Sequence, residues 1–219
     1  MRLDVFTLFP EAFDWFLGQV HQRRARDFGL QVHLWNYRDY TPLNAGQVDD
    51  APYGGGAGMV LRIDVLCAAL EAVFGRDCAA LRQERRVIEL TPKGRQLDAA
   101  LAAELSGADL CLLCGRYEGI DERVANVVSD RISIGPYVLS GGEVAAMALV
   151  DAVVRKLDGA VSNPESVLSE SHSPELGGGA EYPHYTRPAE FRGWRVPDVL
   201  VGGNHAAIAR WRAEQVQTR

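Results

Sequence analysis

Apolar positions along this chain follow two periods that take turns. In Arg2–Leu8 they alternate as in a strand, and Pro10 and Glu11 then open a stretch where Phe13, Phe16, Leu17 and Val20 fall at helical spacing, closed by Gly29. Leu30–Tyr37 predicts a second strand, and Arg38–Gly58 a long loop ending YGGGAG. The pattern continues with a helix over Ile63–Phe74, a strand over Arg86–Leu90, a turn at Thr91–Gly94, a helix over Gln96–Leu105 and a strand over Leu110–Cys114. A helix over Ile120–Val128, a short strand over Arg131–Ile134 and an amphipathic helix over Glu143–Leu157 complete it. Strands alternating with helices imply a mainly parallel sheet covered on both faces, so residues 1–157 are expected to form one α/β domain. Residues 158–182 are small, polar and glycine-rich, as in a linker or mobile lid. The tail 183–219 predicts a helix at His205–Val216 and is too short to build a large core alone, so it needs a surface to dock on.

Two of the apolar runs break at once into glycine. Leu110–Cys114 ends in Gly115-Arg116-Tyr117-Glu118-Gly119, and Ile132–Ile134 ends in Gly135-Pro136-Tyr137 and then Ser140-Gly141-Gly142-Glu143. Such stops bring main-chain groups to the carboxyl edge of a sheet, where open α/β proteins bind ligands. Two of them close together predict one site built from two loops. Without a Cβ in the way, a flat ring or a ribose can approach the backbone and be read by it. No acidic residue follows a dinucleotide-type glycine motif at the usual distance, which argues against a nicotinamide cofactor. Gly54–Gly58 resembles a phosphate cradle but lacks the Lys-Ser/Thr of a P-loop, and reads more readily as a flexible loop needing unusual backbone angles, preceded by Asp49 and Asp50.

Composition narrows the class. With 47% apolar and 24% charged residues in 219, the chain is an ordinary globular one, its apolar stretches are interrupted by charges, and its start lacks the shape of a signal peptide. The expectation is a cytoplasmic protein without a membrane span. The four cysteines, Cys67, Cys78, Cys111 and Cys114, include a C-x-x-C inside an apolar strand, not at a helix start, and read as buried reduced thiols. A net charge of −6 excludes a uniformly basic protein, yet the charge is segregated. Residues 157–183 hold five acidic side chains and no Lys or Arg, whereas 184–219 carry a net +3. Within that tail, Pro183-His184-Tyr185-Thr186-Arg187-Pro188 mixes aromatic, basic and rigid residues suited to stacking on bases and meeting phosphates, and His205 and Arg210 on the last helix can add contacts. Arg155, late on the helix after Gly142, reads either as a cation facing the sheet edge to stabilise an oxyanion or as a surface arginine in a last helical turn.

Taken together, DDAPYGGGAGMVL from Asp49, LTPKGRQLD from Leu90, LLCGRYEGIDERV from Leu112, SIGPYVLSGGE from Ser133, LVDAVVR ending at Arg155, PHYTRP from Pro183 and GNHAAIARWR from Gly203 resemble the bacterial tRNA (guanine-N1)-methyltransferases of the TrmD type. These motifs occur in family order across nearly the whole chain. The resemblance implies a SPOUT-class α/β domain with a trefoil knot, which breaks the usual rule of unthreaded connections. It implies methyl transfer from S-adenosylmethionine to N1 of the guanosine 3′ of the tRNA anticodon. Leu90, Gly115, Tyr117, Ser133, Ile134, Gly135, Pro136, Tyr137, Val138, Leu139, Gly141 and Gly142 would hold the cofactor. Asp50, Glu118, His184, Tyr185, Arg187 and His205 would meet the tRNA. A homodimer with shared active sites is implied, as is a Mg2+ ion for which the sequence offers no self-evident ligand set, and the family often extends beyond position 219.

Guanine N1 carries a proton at neutral pH, so a base must remove it as the methyl is transferred, while a cation stabilises charge on O6. Arg155 matches the family arginine given the second role. The family base is an aspartate upstream of PHYTRP, and here the segment reads Ser169-Glu170-Ser171-His172-Ser173-Pro174-Glu175, with no aspartate between Asp158 and Asp198. Matching the following serine places His172 at the aspartate, and counting back from Pro183 gives Ser173. His172 is the first candidate, since a neutral imidazole accepts a proton near working pH, and Glu170 and Glu175 follow. An RNA-binding homologue that has lost methylation is the alternative, and a related knotted methyltransferase acting on a ribose hydroxyl would lack the two tail motifs.

Overall fold

The computed structural model describes residues 1–161 and 170–216, and the chain divides into two units, Met1–Ser162 and Asn163–Arg219. The expected linker 158–182 includes residues 162–169, which lie outside the described residues. In the first unit, β1 (Arg2–Thr7), β2 (Gln31–Asn36), β5 (Arg86–Gln96), β6 (Leu110–Cys114) and β7 (Asp130–Ser133) form a five-stranded sheet in the order β2-β1-β6-β5-β7, all pairings parallel. A second, two-stranded ladder pairs β3 (Asp49–Asp50) with β4 (Val60–Leu61).

A parallel sheet needs cover on both faces, and the side chains alternate to supply it. On β6, Leu110, Leu112 and Cys114 enter one core while Cys111 and Leu113 enter the other. The first core packs under α1 (Asp14–Leu17), α2 (Val20–Asp27), α5 (Ala99–Leu105) and α6 (Gly142–Val154). The second packs under α3 (Ile63–Phe74) and α4 (Cys78–Glu84). Each fully buried leucine contributes about 1.5–3 kcal/mol relative to exposure. One charge is buried on β1: Asp4 receives the Arg2 Nε at 2.8 Å and the Trp35 Nε1 at 2.9 Å, so its carboxylate is not left unpartnered.

Several elements depart from the sequence pattern. The expected helix from Pro10 to Gly29 is a 3-10 turn, α1 and α2, interrupted at Gly18-Gln19, where Gln19 is extended (ψ 152°). Glycine is a poor helix former and lets the chain turn there. The loop 38–58 contains β3. Helix α4 was not foreseen because Leu81 is its one buried side chain, too little to make a period, and Asp77 starts it by accepting from the Ala79 and Ala80 amides. Ile120–Val128 is not an α-helix but a 3-10 segment, Glu122–Asn126, capped by Asp121. The turn at Thr91–Gly94 lies inside β5: Ile132 pairs with both Leu90 and Arg95, and the residues between them bulge out.

The cysteines also need correction. Cys67 and Cys78 form a disulfide, because the short connection from α3 to α4 brings their Cα atoms to 5.4 Å. Cys111 and Cys114 are free and buried as expected, and burial pushes both thiols up. In the second unit a hairpin of β8 (Glu190–Phe191) and β9 (Trp194–Arg195) precedes the helices Asp198–Val201 and His205–Gln215, so this tail is not helical throughout. Among the described residues no helix is long and apolar enough to cross a membrane.

Candidate functional site

Strands β5, β6 and β7 are neighbours, so the segments leaving their carboxyl ends meet at one edge of the sheet. Loop 115–120 after β6, loop 134–141 after β7 and the bulge of β5 enclose a cavity of about 290 Å³. That is near the lower end of the range for small-molecule sites, about 300–1,000 Å³. The loops are laced main chain to main chain. The Gly142 amide donates to the Gly115 carbonyl at 2.9 Å, and Arg116 pairs with Gly141 as an isolated bridge. Glu118 and Met59 join the preceding glycine-rich segment to the same loop through an amide donating at 3.0 Å.

Glycine is required at this crossing. A Cβ on Gly142 would lie 2.6 Å from the Cys114 Cα, a backbone atom that cannot step aside. Gly142→Ala is therefore expected to cost about 1–3 kcal/mol through overpacking, read as a lowered midpoint in thermal denaturation. An unchanged midpoint would mean that the two loops are free to part.

Of the residues expected around the methyl donor, Leu90, Gly115, Tyr117, Ser133, Ile134, Gly135, Tyr137, Val138, Leu139, Gly141 and Gly142 line the cavity. Pro136 does not. The Tyr137 ring folds back over Gly135, its hydroxyl donating to the Ile134 carbonyl at 3.2 Å, which leaves Pro136 at the exposed bend. Tyr117 sits at φ +60°, a conformation uncommon outside glycine and worth attention at a ligand site.

Sequence reasoning missed the charged part of the wall. Thr91, Pro92 and Lys93 line it from the bulge, and Arg116 and Arg131 add cations. Glu89 meets the Arg131 Nε at 2.8 Å, and burial holds its carboxyl above the usual range in spite of that partner. Arg116 lies 4.3 Å over the Phe9 ring, with its Nε 3.0 Å from the Glu143 Oε2. Those two atoms are buried and make no aligned hydrogen bond, so the attraction is Coulombic. Glu143, 3% exposed, accepts from the Thr7 Oγ at 2.7 Å through its other oxygen. The polar ends of the GRYEG and SGGE motifs were the visible signal, but not their pairing with each other or with β1.

Other expected residues lie elsewhere. Arg155 is the C-cap of α6, thirteen residues beyond Gly142, hence roughly 20 Å away along the helix. Its position in the last helical turn is the one the surface-arginine reading expects. Asp50 sits on β3 within 3.2 Å of the Arg62 guanidinium and outside the cavity wall, whereas Glu118 is in the wall. Among the described residues no group of three or more His, Cys, Asp or Glu side chains is placed to hold a metal ion, so the expected Mg2+ finds no protein ligand set there.

In the second unit, His172 is exposed at φ +68°, its amide donating to the Gly179 carbonyl at 2.8 Å. Its Nδ1 lies 3.3 Å from the Gly178 carbonyl. A carbonyl only accepts, so Nδ1 is the donor in this contact and Nε2 is the nitrogen left to face outward from it. The Glu170 carbonyl accepts from the Ser173 amide at 3.0 Å, which closes this turn. Farther along, a cavity of about 590 Å³ is lined by His184, Tyr185 and Arg187 together with Tyr182, Trp211 and Arg212, while His205 is not in its wall. Arg212 lies 4.7 Å over the Tyr182 ring, and His184 reaches the Glu181 carboxylate at 2.9 Å.

The chain is similar to known proteins along its whole length. The family model described as tRNA (Guanine-1)-methyltransferase TrmD matches residues 1–219. A tRNA (guanine-N(1)-)-methyltransferase of Chromobacterium violaceum is 52% identical over 98% of this chain and 84% of its own length. Proteins of the same description from Geobacter sulfurreducens, at 49% over 98% of this chain and 86% of theirs, and from Sorangium cellulosum, at 48% over 100% and 90%, are similar to the same extent.

Proposed function

Since the chain belongs to the tRNA (guanine-1)-methyltransferase family, we propose that it methylates N1 of the guanosine 3′ of the tRNA anticodon, in the cell interior, with S-adenosylmethionine as donor. The observation that carries this reading is the convergence of two glycine-ended loops on one cavity at the carboxyl edge of β5, β6 and β7. When bound there, the cofactor supplies an electrophilic methyl group on a sulfonium. Gly115, Gly141 and Gly142 leave the main chain open to an adenosine and a methionine moiety, and Leu90, Ile134 and Leu139 offer apolar contact. The lacing of residues 115–116 to 141–142 supports a trefoil knot in which the segment after β7 is drawn under the loop after β6.

The residues assigned here to the proton chemistry lie outside the cavity wall. Arg155, at the far end of α6, fits the role of stabilising charge on guanine O6 in the site of a second copy, which supports a two-fold dimer with shared sites. His172 takes the N1 proton at Nε2, with Nδ1 anchored on the Gly178 carbonyl, and Glu170 is the next candidate. Residues 158–182 act as the lid that carries this base, and the tail 183–219 holds the tRNA through His184, Tyr185, Arg187 and His205, with Asp50 and Glu118 near the target base.

Labelled S-adenosylmethionine and a tRNA transcript test the reading. Methyl transfer is expected with guanosine at the target position and not with adenosine there. In single-turnover assays His172→Ala should slow transfer about 10²–10⁴-fold, the usual size of a general-base effect. A wild-type rate in that variant, with a slow Glu170→Ala, moves the role to Glu170.

A further inference from the structure

The hairpin of the second unit carries an exposed surface that none of these steps uses. Phe191 and Trp194 stand directly opposite each other in the β8–β9 ladder, so both side chains leave the same face. Their rings are 6.0 Å apart and tilted by 57°, and they are 52% and 72% exposed. The Arg192 guanidinium lies 5.1 Å over the Phe191 ring and adds a cation to that face. On the other face, Arg195 makes an exposed pair with Glu190 at 3.2 Å, a contact a phosphate can displace at little cost.

The turn shows the same bias. Arg192 and Gly193 occupy the two-residue loop at φ +54° and +83°, where asparagine followed by glycine is the usual pair. Arginine is disfavoured in the left-handed region, so backbone preference alone does not explain its place there. A large aromatic left in water, a cation at a strained tip and a second arginine behind them lie in a segment of net positive charge. That combination matches single-stranded nucleic acid, whose bases stack on aromatic faces while its phosphates meet arginine.

Resting on the tRNA reading above, we infer that the hairpin Glu190–Arg195 is a second RNA contact, in which an unpaired base of the tRNA stacks on Trp194 and the adjoining phosphates meet Arg192 and Arg195. The occupant is RNA and not a second copy of the chain, because the arginines complement a phosphate backbone and the hairpin offers few apolar atoms beyond the two rings.

The test uses the full-length protein and a tRNA transcript. Trp194→Ala is expected to weaken tRNA binding roughly 5–150-fold, the equivalent of one lost base–aromatic stack. Trp194→Phe should keep most of the affinity, and Arg192→Asn, which suits the turn, should reduce the salt slope of binding by about 1. S-adenosylmethionine affinity and the rate at saturating tRNA should stay at wild type, so the loss appears in KM for tRNA. Wild-type tRNA affinity in Trp194→Ala overturns the proposal. So does a change of oligomeric state in light scattering, which would assign the face to a second copy. A wild-type protein that neither binds nor methylates the transcript defeats the parent reading instead.

Discussion

Replacing Glu143 by alanine is expected to destabilise the protein by about 3 kcal/mol and to lower its melting temperature by roughly 6–12 °C. The carboxylate is 3% exposed and ties together three pieces that are far apart in sequence: the end of β1 through Thr7, the loop after β6 through Arg116, and the start of α6 on which it sits. Its removal leaves Arg116 facing a void with no compensating charge and the Thr7 hydroxyl without its acceptor. The figure is taken from the low end of the range for breaking a buried pair because Arg116, 28% exposed, can turn partly toward water. Glu143→Gln keeps an acceptor for Thr7 and should lose less. Arg116 is also in the cavity wall, so calorimetry should show weakened S-adenosylmethionine binding in both variants. A melting curve for Glu143→Ala that overlays wild type would mean that the loops are held by their main-chain bonds alone. A double-mutant cycle with Arg116→Met separates the pair from the packing around it.

Arg155→Ala is expected to reduce single-turnover methylation about 10²–10³-fold, the effect of losing one donor to a developing oxyanion, with cofactor affinity unchanged. The contrast follows from geometry: Gly142 and Ala145 at the start of α6 are in the cavity wall, and Arg155 is at the helix's other end. The proposed shared-site dimer makes a sharper statement. Gly142 is in the cavity wall, so Gly142→Ala is also expected to lose the cofactor, and mixing it with Arg155→Ala subunits should restore roughly one quarter of wild-type sites, because half the dimers are then mixed and each has one intact site. No recovery on mixing, with confirmed subunit exchange, would place the arginine and the cofactor loops in one chain. Loss of cofactor affinity in Arg155→Ala alone would point the same way.

The part of this site readable from sequence was the part made of backbone. Glycines after Cys114 and around Ser140 mark where a chain must turn and be approached, and that requirement is local. Side-chain pairing is not local. Thr7 and Glu143 are 136 positions apart, and neither has a pattern that announces the other. Helix α4 escaped for a related reason, since its sequence shows one buried side chain and its disulfide to α3 depends on how two helices turn. The bulge in β5 was legible as a turn but not as a wall of the site, because Thr91–Gly94 says nothing of the neighbouring strand that resumes pairing at Arg95. Arg155 is a different case: its motif is recognisable, and its distance along α6 from the cavity follows from helix length.

The strand order has a consequence for how the chain is made. β2 follows β1 closely in the chain, Arg2 pairing with Gln31, but the other edge of β1 takes β6, whose Leu110 lies 107 residues beyond its partner Leu3. At about 5–20 residues per second, that edge waits roughly 5–20 s for its neighbour to be synthesised. Its apolar side chains Leu3, Val5 and Phe6 must be shielded meanwhile by whatever the nascent chain or its chaperones provide.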